Sequence, residues 1–369
     1  MIEGLAAMDV AGRVPRLLGA LREADVSALL VTNLTNIRYL TGFTGSAALL
    51  VVTAEGEITF VTDGRYGAQA ETQLAAAEVR ATVEVSGTGQ REVVVAAVAA
   101  AGATRLGLEA DAVTWSAQRA YRETWFPDVE LVPTTGLVAD LRRTKDPGEV
   151  ARIEAACAIA DEALAAVAPR LTDGPSEIEF GLELDVTMRR LGAVDVSFET
   201  IVAAGPNGAL PHHRPAERTI GRGDLVVIDF GALVDGYHSD MTRTVHAGEP
   251  TPTQQRMYDV VAEAQAAGVA AVAPGVACRD VDQVCREVID RAGWLDAFLH
   301  STGHGVGLDI HEAPRLAHTS EDVLAEGQVV TVEPGVYLPE HGGVRIEDSV
   351  VVTAGGCRPL TRAPKHLVP

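Results

Sequence analysis

Val14, Leu17, Leu18 and Leu21 recur at the spacing of one helical face, which predicts an amphipathic helix over residues 10–24. Residues 28–31 follow as a short unbroken apolar run and read as a buried strand, and residues 36–40 as a helical turn stopped by Thr41-Gly42. Two further apolar runs, 47–52 and 58–61, flank Glu55-Gly56 and read as a hairpin. Alternation of such strands with alanine-rich helical stretches around 68–77 and 91–101 predicts a mixed α/β domain, closing with the segment 131–141. The polar run Arg143-Thr144-Lys145-Asp146-Pro147-Gly148 then reads as a boundary, dividing the chain into 1–143 and 144–369.

The second part is patterned differently. Residues 149–167 predict a long helix and 176–191 another, its start marked by Ser176 with Glu179 three positions on, a capping box. From Ser197 strands and loops dominate, interrupted by a helix pair around 252–268 and 280–292. Helices set apart from strands in this way predict an α+β domain.

Composition narrows the function classes. The 369 residues carry a net charge of −21 with no clustered Lys/Arg stripe, which argues against nucleic acid and anionic membranes as partners. Cys157, Cys278, Cys285 and Cys357 form no CxxC pair; four cysteines in so long a chain read as reduced, mostly buried thiols. No signal peptide is evident and no apolar run reaches the ~20 residues of a membrane span, so the cytoplasm is the expected address.

Three segments carry candidate chemistry. In LVVIDFGALVDGYHSDMTRTV (225–245), an Asp235-Gly236 turn would pair Gly231 with Asp240, making Asp229 and Asp240 diagonal neighbours on one face. Carboxylates that close repel unless one holds a proton or a cation lies between them; taken alone, such a pair also reads as surface decoration. In the second segment, VTVEPG holds Glu333 and VRIED holds Glu347 among valines and isoleucines, where a glutamate without a partner is costly. Arg345 and Glu347, two apart, point to the same face. The third segment, LHSTGHGVGLDIHEAPR (299–315), brings His300, His304 and His311 into a glycine-rich stretch that lacks GxGxxG, GKS/T and a nearby lysine, against a phosphate cradle.

Together these segments offer four carboxylates and an imidazole: Asp229, Asp240, His304, Glu333 and Glu347. Five such ligands exceed what one open metal site needs and fit two divalent ions roughly 3.5–4 Å apart. Nitrogen among the donors favours Mn, Co, Zn or Fe over Ca or Mg. The implied chemistry is hydrolysis.

The motifs IDFG…SDMTRT, HSTGHGVGLDIHE, TVEPGVY and GGVRIED resemble, in order and approximate spacing, those of the prolidase and aminopeptidase P family of pita-bread metallopeptidases. NLTNIRYLTGFTGS (33–46) is similar to that family's creatinase-like N-terminal domain, so the resemblance runs along essentially the whole chain. It implies a pita-bread catalytic domain behind a smaller mixed α/β domain, a homodimer, two divalent ions with manganese first, and cleavage of proline-containing di- or short peptides. By the same resemblance the five ligands are the dinuclear set, with Asp229, Asp240 and Glu347 nearest both ions and Glu333 also handling the nucleophile's proton. His212 matches the histidine facing the reacting peptide, rather than its neighbour His213. His311 matches the one that hydrogen-bonds the substrate, and His300 a further pocket histidine. Arg345 resembles the arginine that orients the ligand carboxylates, and Tyr337 is expected to line the pocket. Arg315 resembles an arginine near the substrate's C-terminal carboxylate, which would favour dipeptides, although a surface salt bridge is the competing reading. Xaa-Pro dipeptidase is the preferred expectation. An Xaa-Pro aminopeptidase acting on longer peptides is the alternative, and a non-catalytic pita-bread scaffold the remote one.

Overall fold

The computed structural model describes residues 4–365. The chain divides into two compact units, residues 8–142 and residues 143 onward, the latter joined by the segment up to Ala7.

The first unit is built on a six-stranded mixed sheet in the order Thr82–Val85, Ile58–Thr62, Ala48–Thr53, Ala28–Val31, Arg105–Glu109, Glu130–Thr134. All four residues of Ala28–Val31 are buried, as an unbroken apolar run in a sheet covered on both faces requires. The expected hairpin joins Ala48–Thr53 to Ile58–Thr62, with Gly56 supplying a positive φ at its turn. Helix Arg13–Glu23 buries Val14, Leu17 and Leu21, while Leu18 is only half-buried. Asn33 caps helix Leu34–Thr41, which Gly42 ends in the left-handed conformation.

In the second unit two helix pairs pack on four small sheets. Helices Pro147–Val167 and Glu177–Arg190 each start with a complete capping box, Asp146 with Glu149 and Ser176 with Glu179. Their apolar faces, Ile159 and Leu164 with Phe180 and Leu184, share a core with Val226 and Ile228 of the sheet Ile201–Ala204, Leu225–Phe230, Met241–His246. Helices Pro252–Ala271 and Cys278–Arg291 bring Val261, Val281 and Ile289 onto Val330, Val332, Val344 and Val350. These valines belong to Val329–Val332, Gly342–Arg345 and Asp348–Thr353, and each contributes about 1.5–3 kcal/mol by burial. The strands that carry the acids are therefore anchored from behind.

The polar run read as a boundary is built into this unit. Thr144 bridges to Gln328, and Lys145 is buried with its ammonium 3.8 Å from Glu312. Among the described residues the cysteines are all free thiols, Cys278 and Cys285 buried on one helix, and no helix is long and apolar enough to cross a membrane.

Candidate metal centre and active site

Asp235 and Gly236 both have positive φ, 46° and 74°, the backbone of a tight two-residue hairpin turn. The rungs outside it run Val234↔Tyr237, Leu233↔His238, Phe230↔Met241 and Thr242↔Asp229. That register sets Gly231 against Asp240, and a Cβ at Gly231 would lie 1.9 Å from the Ser239 carbonyl. The strands can close only around glycine, and their closure brings the two aspartates to one side.

Strand Val329–Val332 delivers Glu333 at its end, and Glu347 lies between Gly342–Arg345 and Asp348–Thr353. His304 is the middle residue of Gly303–Gly305. A Cβ at Gly303 would stand 2.0 Å from the Thr331 carbonyl, so glycine lets this strand press against the one leading to Glu333. The ligand atoms of Asp240, His304 and Glu347 fall within 4.8 Å of one another. His304 Nε2 is 3.5 Å from Asp240 Oδ2 and 3.4 Å from Glu333 Oε1. Asp229 Oδ2 accepts from Arg345 at 2.7 Å, Glu347 Oε2 from Thr242 at 2.7 Å, and Glu333 Oε1 from Thr331 at 3.2 Å.

Burial and mutual repulsion strain this group. Burial first, then Glu347, Asp229 and Glu333, pushes Asp240 well above the usual carboxylate range. Glu347 is raised likewise by burial and by Glu333 and Asp229, and burial pushes Glu333 up to about 8. Burial pushes His304 down to about 4, so its imidazole is neutral. Nδ1 faces the Gly305 carbonyl at 2.9 Å and must donate to it, which turns the Nε2 lone pair toward Asp240 and Glu333.

The residues thus fit divalent metal. Acceptors converge from four carboxylates and an imidazole, and Asp229 Oδ1 and Glu347 Oε1 are buried with no hydrogen-bond partner among the described residues. Only a cation, or protons, can reconcile such a set, and oxygen with imidazole nitrogen suits transition-metal ions.

The acids open into a cavity of about 580 Å³ that also holds His212, His300, His311, Arg315 and Arg345. His212 is exposed there, whereas His213 turns away to bond Glu177 at 2.9 Å. His311 lies against His304, ring centroids 4.4 Å apart. Arg315 donates to Ser301 at 3.4 Å, and among the described residues it has no ion pair. Tyr337 corrects the sequence reading. It is buried beneath the wall rather than lining it, accepting from Arg345 at 2.8 Å and facing His300 Nε2 at 2.8 Å. The hydroxyl is thus a link from Arg345 to His300.

Sequence reasoning missed Phe198, Ile201 and Ile310, which form apolar wall, and the Glu199–Arg214 ion pair at 2.8 Å. It also missed Thr242, which bonds both Glu347 and Arg345. Thr242 alternates with Arg243 and Thr244 in the same run as Asp240, and that alternation was the available signal.

Comparison with known proteins finds matches along both parts of the chain. Residues 151–354 match the model of metallopeptidase family M24, and residues 13–144 that of the creatinase/prolidase N-terminal domain. The chain is 45% identical to the Xaa-Pro dipeptidase of Pyrococcus furiosus over 63% of its own length and 67% of that protein's. Its structure is similar to that of an Xaa-Pro dipeptidase from Bacillus anthracis, with TM-score 0.93, 40% identity, and 97% and 99% of the two chains covered. An X-Pro aminopeptidase from Thermotoga maritima is similar at TM-score 0.86 and 34% identity, covering 96% and 99%.

Proposed function

The chain belongs to metallopeptidase family M24, and from that membership we propose that it hydrolyses the Xaa-Pro bond of dipeptides with the help of divalent metal. The observation that carries the reading is the convergence of Asp240, His304 and Glu347 within 4.8 Å, beside two further acids, in the pita-bread unit. In this reading Asp229, Asp240, His304, Glu333 and Glu347 would hold two ions, manganese by preference, with cobalt, zinc or iron compatible with the same donors. Bound there, the ions would supply Lewis acidity, acidifying water toward a nucleophile at neutral pH and polarising the scissile carbonyl.

The side chains do the rest. Glu333, facing the cavity beside His304, takes a proton from the attacking water and returns it to the departing proline nitrogen. His212 and His311, both exposed to the cavity, hydrogen-bond the peptide oxygen as charge develops. Xaa-Pro is a tertiary amide with no N–H, so a site that asks for no donor there accepts what other peptidases refuse. Phe198, Ile201 and Ile310 offer the pyrrolidine ring an apolar seat. Arg315, exposed in the same cavity and without an acidic partner among the described residues, clamps the C-terminal carboxylate and favours dipeptides. Free, largely buried thiols suit a reducing compartment, and we place the protein in the cytoplasm, as a homodimer like the family it resembles.

The test is turnover of Ala-Pro, Met-Pro, Ala-Pro-Ala and Ala-Ala by purified protein, chelated and then reconstituted with manganese. Cleavage of the two proline dipeptides alone, restored only by metal, is expected. Cleavage of the tripeptide would move the protein to the aminopeptidases, and silence on all four would overturn the reading.

A further inference from the structure

Away from the candidate ligands, fully buried carboxylates remain that have no part in the chemistry above. Glu177, the first residue of helix Glu177–Arg190, is 0% exposed. Its Oε1 accepts from Ala204 N at 2.7 Å and Asn207 Nδ2 at 2.9 Å. Its Oε2 accepts from His213 Nε2 at 2.9 Å, Ala216 N at 3.0 Å and Asn207 Nδ2 at 3.1 Å. Every donor belongs to one stretch of chain, residues 204–216. The backbone beside it adds to the grip: Glu177 N donates to the Arg218 carbonyl and Ile178 N to that of Ala216.

A carboxylate at a helix start is ordinarily satisfied by the helix's own free N–H groups, as Asp146 is by Glu149 N. Glu177 instead spends all its acceptor capacity on a neighbouring loop, and two of its partners are side chains, so loop and helix start are tied at four points. His212 lies inside that loop and faces the cavity. Its neighbours on both sides are held. The Pro211 carbonyl accepts from Arg345 at 3.3 Å, and His213 is bonded to Glu177. Arg345 also holds Asp229 at 2.7 Å, so one flank of His212 is referenced to the candidate ligand set and the other to the helix.

We propose that Glu177 is a positioning residue for the peptidase reaction: its carboxylate latches the 204–216 loop so that His212 meets the scissile Xaa-Pro unit. The inference rests on the peptidase reading above. Loosening the latch leaves the ligand acids in place while letting His212 wander, and a displacement of about 1 Å at a reacting group costs about 10²-fold in rate.

The test uses full-length, metal-reconstituted protein carrying Glu177→Gln, His213→Ala or Asn207→Ala, each alone and combined with His212→Ala. Hydrogen exchange of the 204–216 amides is followed on the same samples. At equal metal content, Glu177→Gln should lower kcat by about 10²-fold with KM nearly unchanged, and the two milder variants should lower it less. In the His212→Ala background Glu177→Gln should add little, because the residue it positions is gone. Losses that multiply would overturn the proposal, as would wild-type kcat in Glu177→Gln. If Glu177→Gln does not fold, wild-type kcat in both His213→Ala and Asn207→Ala overturns it equally. Should the parent protein fail to cleave any Xaa-Pro peptide, that failure falls on the peptidase reading, and the exchange arm decides the latch. Faster exchange across 204–216 in the variants supports it; unchanged exchange sinks it.

Discussion

Replacing Arg345 with methionine isolates the residue on which the site's electrostatics turn. Arg345 is 3% exposed and donates to Asp229 at 2.7 Å, Tyr337 at 2.8 Å, Thr242 at 3.1 Å and the Pro211 carbonyl at 3.3 Å. Methionine keeps most of the stem's volume and removes every side-chain donor. Tyr337 and Thr242 are hydroxyls that can rotate to new partners, but Asp229 cannot: its other oxygen already lacks a hydrogen bond. Stranding a largely buried charge in this way, its side chain 14% exposed, costs up to about 3–5 kcal/mol. For a unit of this size each kcal/mol moves Tm by roughly 2–4 °C, so the chelated variant should melt up to roughly 6–20 °C below the parent.

The decisive comparison is the double variant Arg345→Met with Asp229→Asn, melted in chelator by circular dichroism. If the loss comes from a stranded charge, neutralising Asp229 should recover most of it. A double variant no more stable than Arg345→Met would refute this reasoning and assign the loss to packing. Arg345→Lys should recover less than half, since one ammonium cannot reach a carboxylate, a phenol and a carbonyl set around a planar fork.

Asp240→Asn or His304→Ala should abolish high-affinity metal binding by calorimetry together with turnover; an active variant that binds no metal would end the metal mechanism. Arg315→Ala should raise KM for Ala-Pro by about tenfold or more with kcat changed less, and an unchanged KM would remove the carboxylate clamp. In chelator, stability should fall as pH rises above 7. Glu333 has a folded pKa raised from 4.5 to about 8, so its stabilising protonated form is complete below 4.5 and lost as pH passes 8. Above pH 7, clear of the range where His300 and His304, held down to about 4, take up protons on unfolding, melts up to pH 9 should slope downward in the chelated parent and less steeply in Glu333→Gln; equal slopes in the two would contradict the assignment.

What could be read from the chain was whatever local rules dictate. The Asp235-Gly236 turn dictates a register, and the register puts Asp229 and Asp240 together without any knowledge of the fold. Ser176 and Glu179 announce a helix start, and the 3.6-residue repeat announces the first helix. Strand Thr82–Val85 escaped because it has no buried face to pattern: none of its residues is fully buried. Arg105–Glu109 escaped because Gly107 interrupts its apolar run, where a Cβ would stand 3.0 Å from Leu29. Lys145 looked like linker polarity and is buried, because its partner Glu312 comes from a segment 167 positions away. Tyr337 was misplaced for a related reason. Its cross-strand partner is Gly343, and which side of a two-stranded ribbon faces a cavity is a property of the assembled unit.

Those failures share a physical origin with the site itself. A run such as VTVEPG or VRIED is locally inconsistent, since valine and isoleucine ask for a dry core and glutamate asks for water. The conflict would relax if the strands could separate, but Val332, Val344, Ile346 and Val350 are all 0% exposed and packed against the helix pair behind them. The hydrophobic cluster therefore compels the carboxylates to stay close, and Thr242, Thr331 and Arg345 satisfy one oxygen of each of three acids and leave the others free. A cation that binds only the folded form recovers this stored repulsion as affinity, and it stabilises the fold by RT ln(1 + [L]/Kd). Stability and metal affinity are thus two readings of one strained arrangement, which is why a substitution that relieves the strain should make the chelated protein more stable and the enzyme inactive.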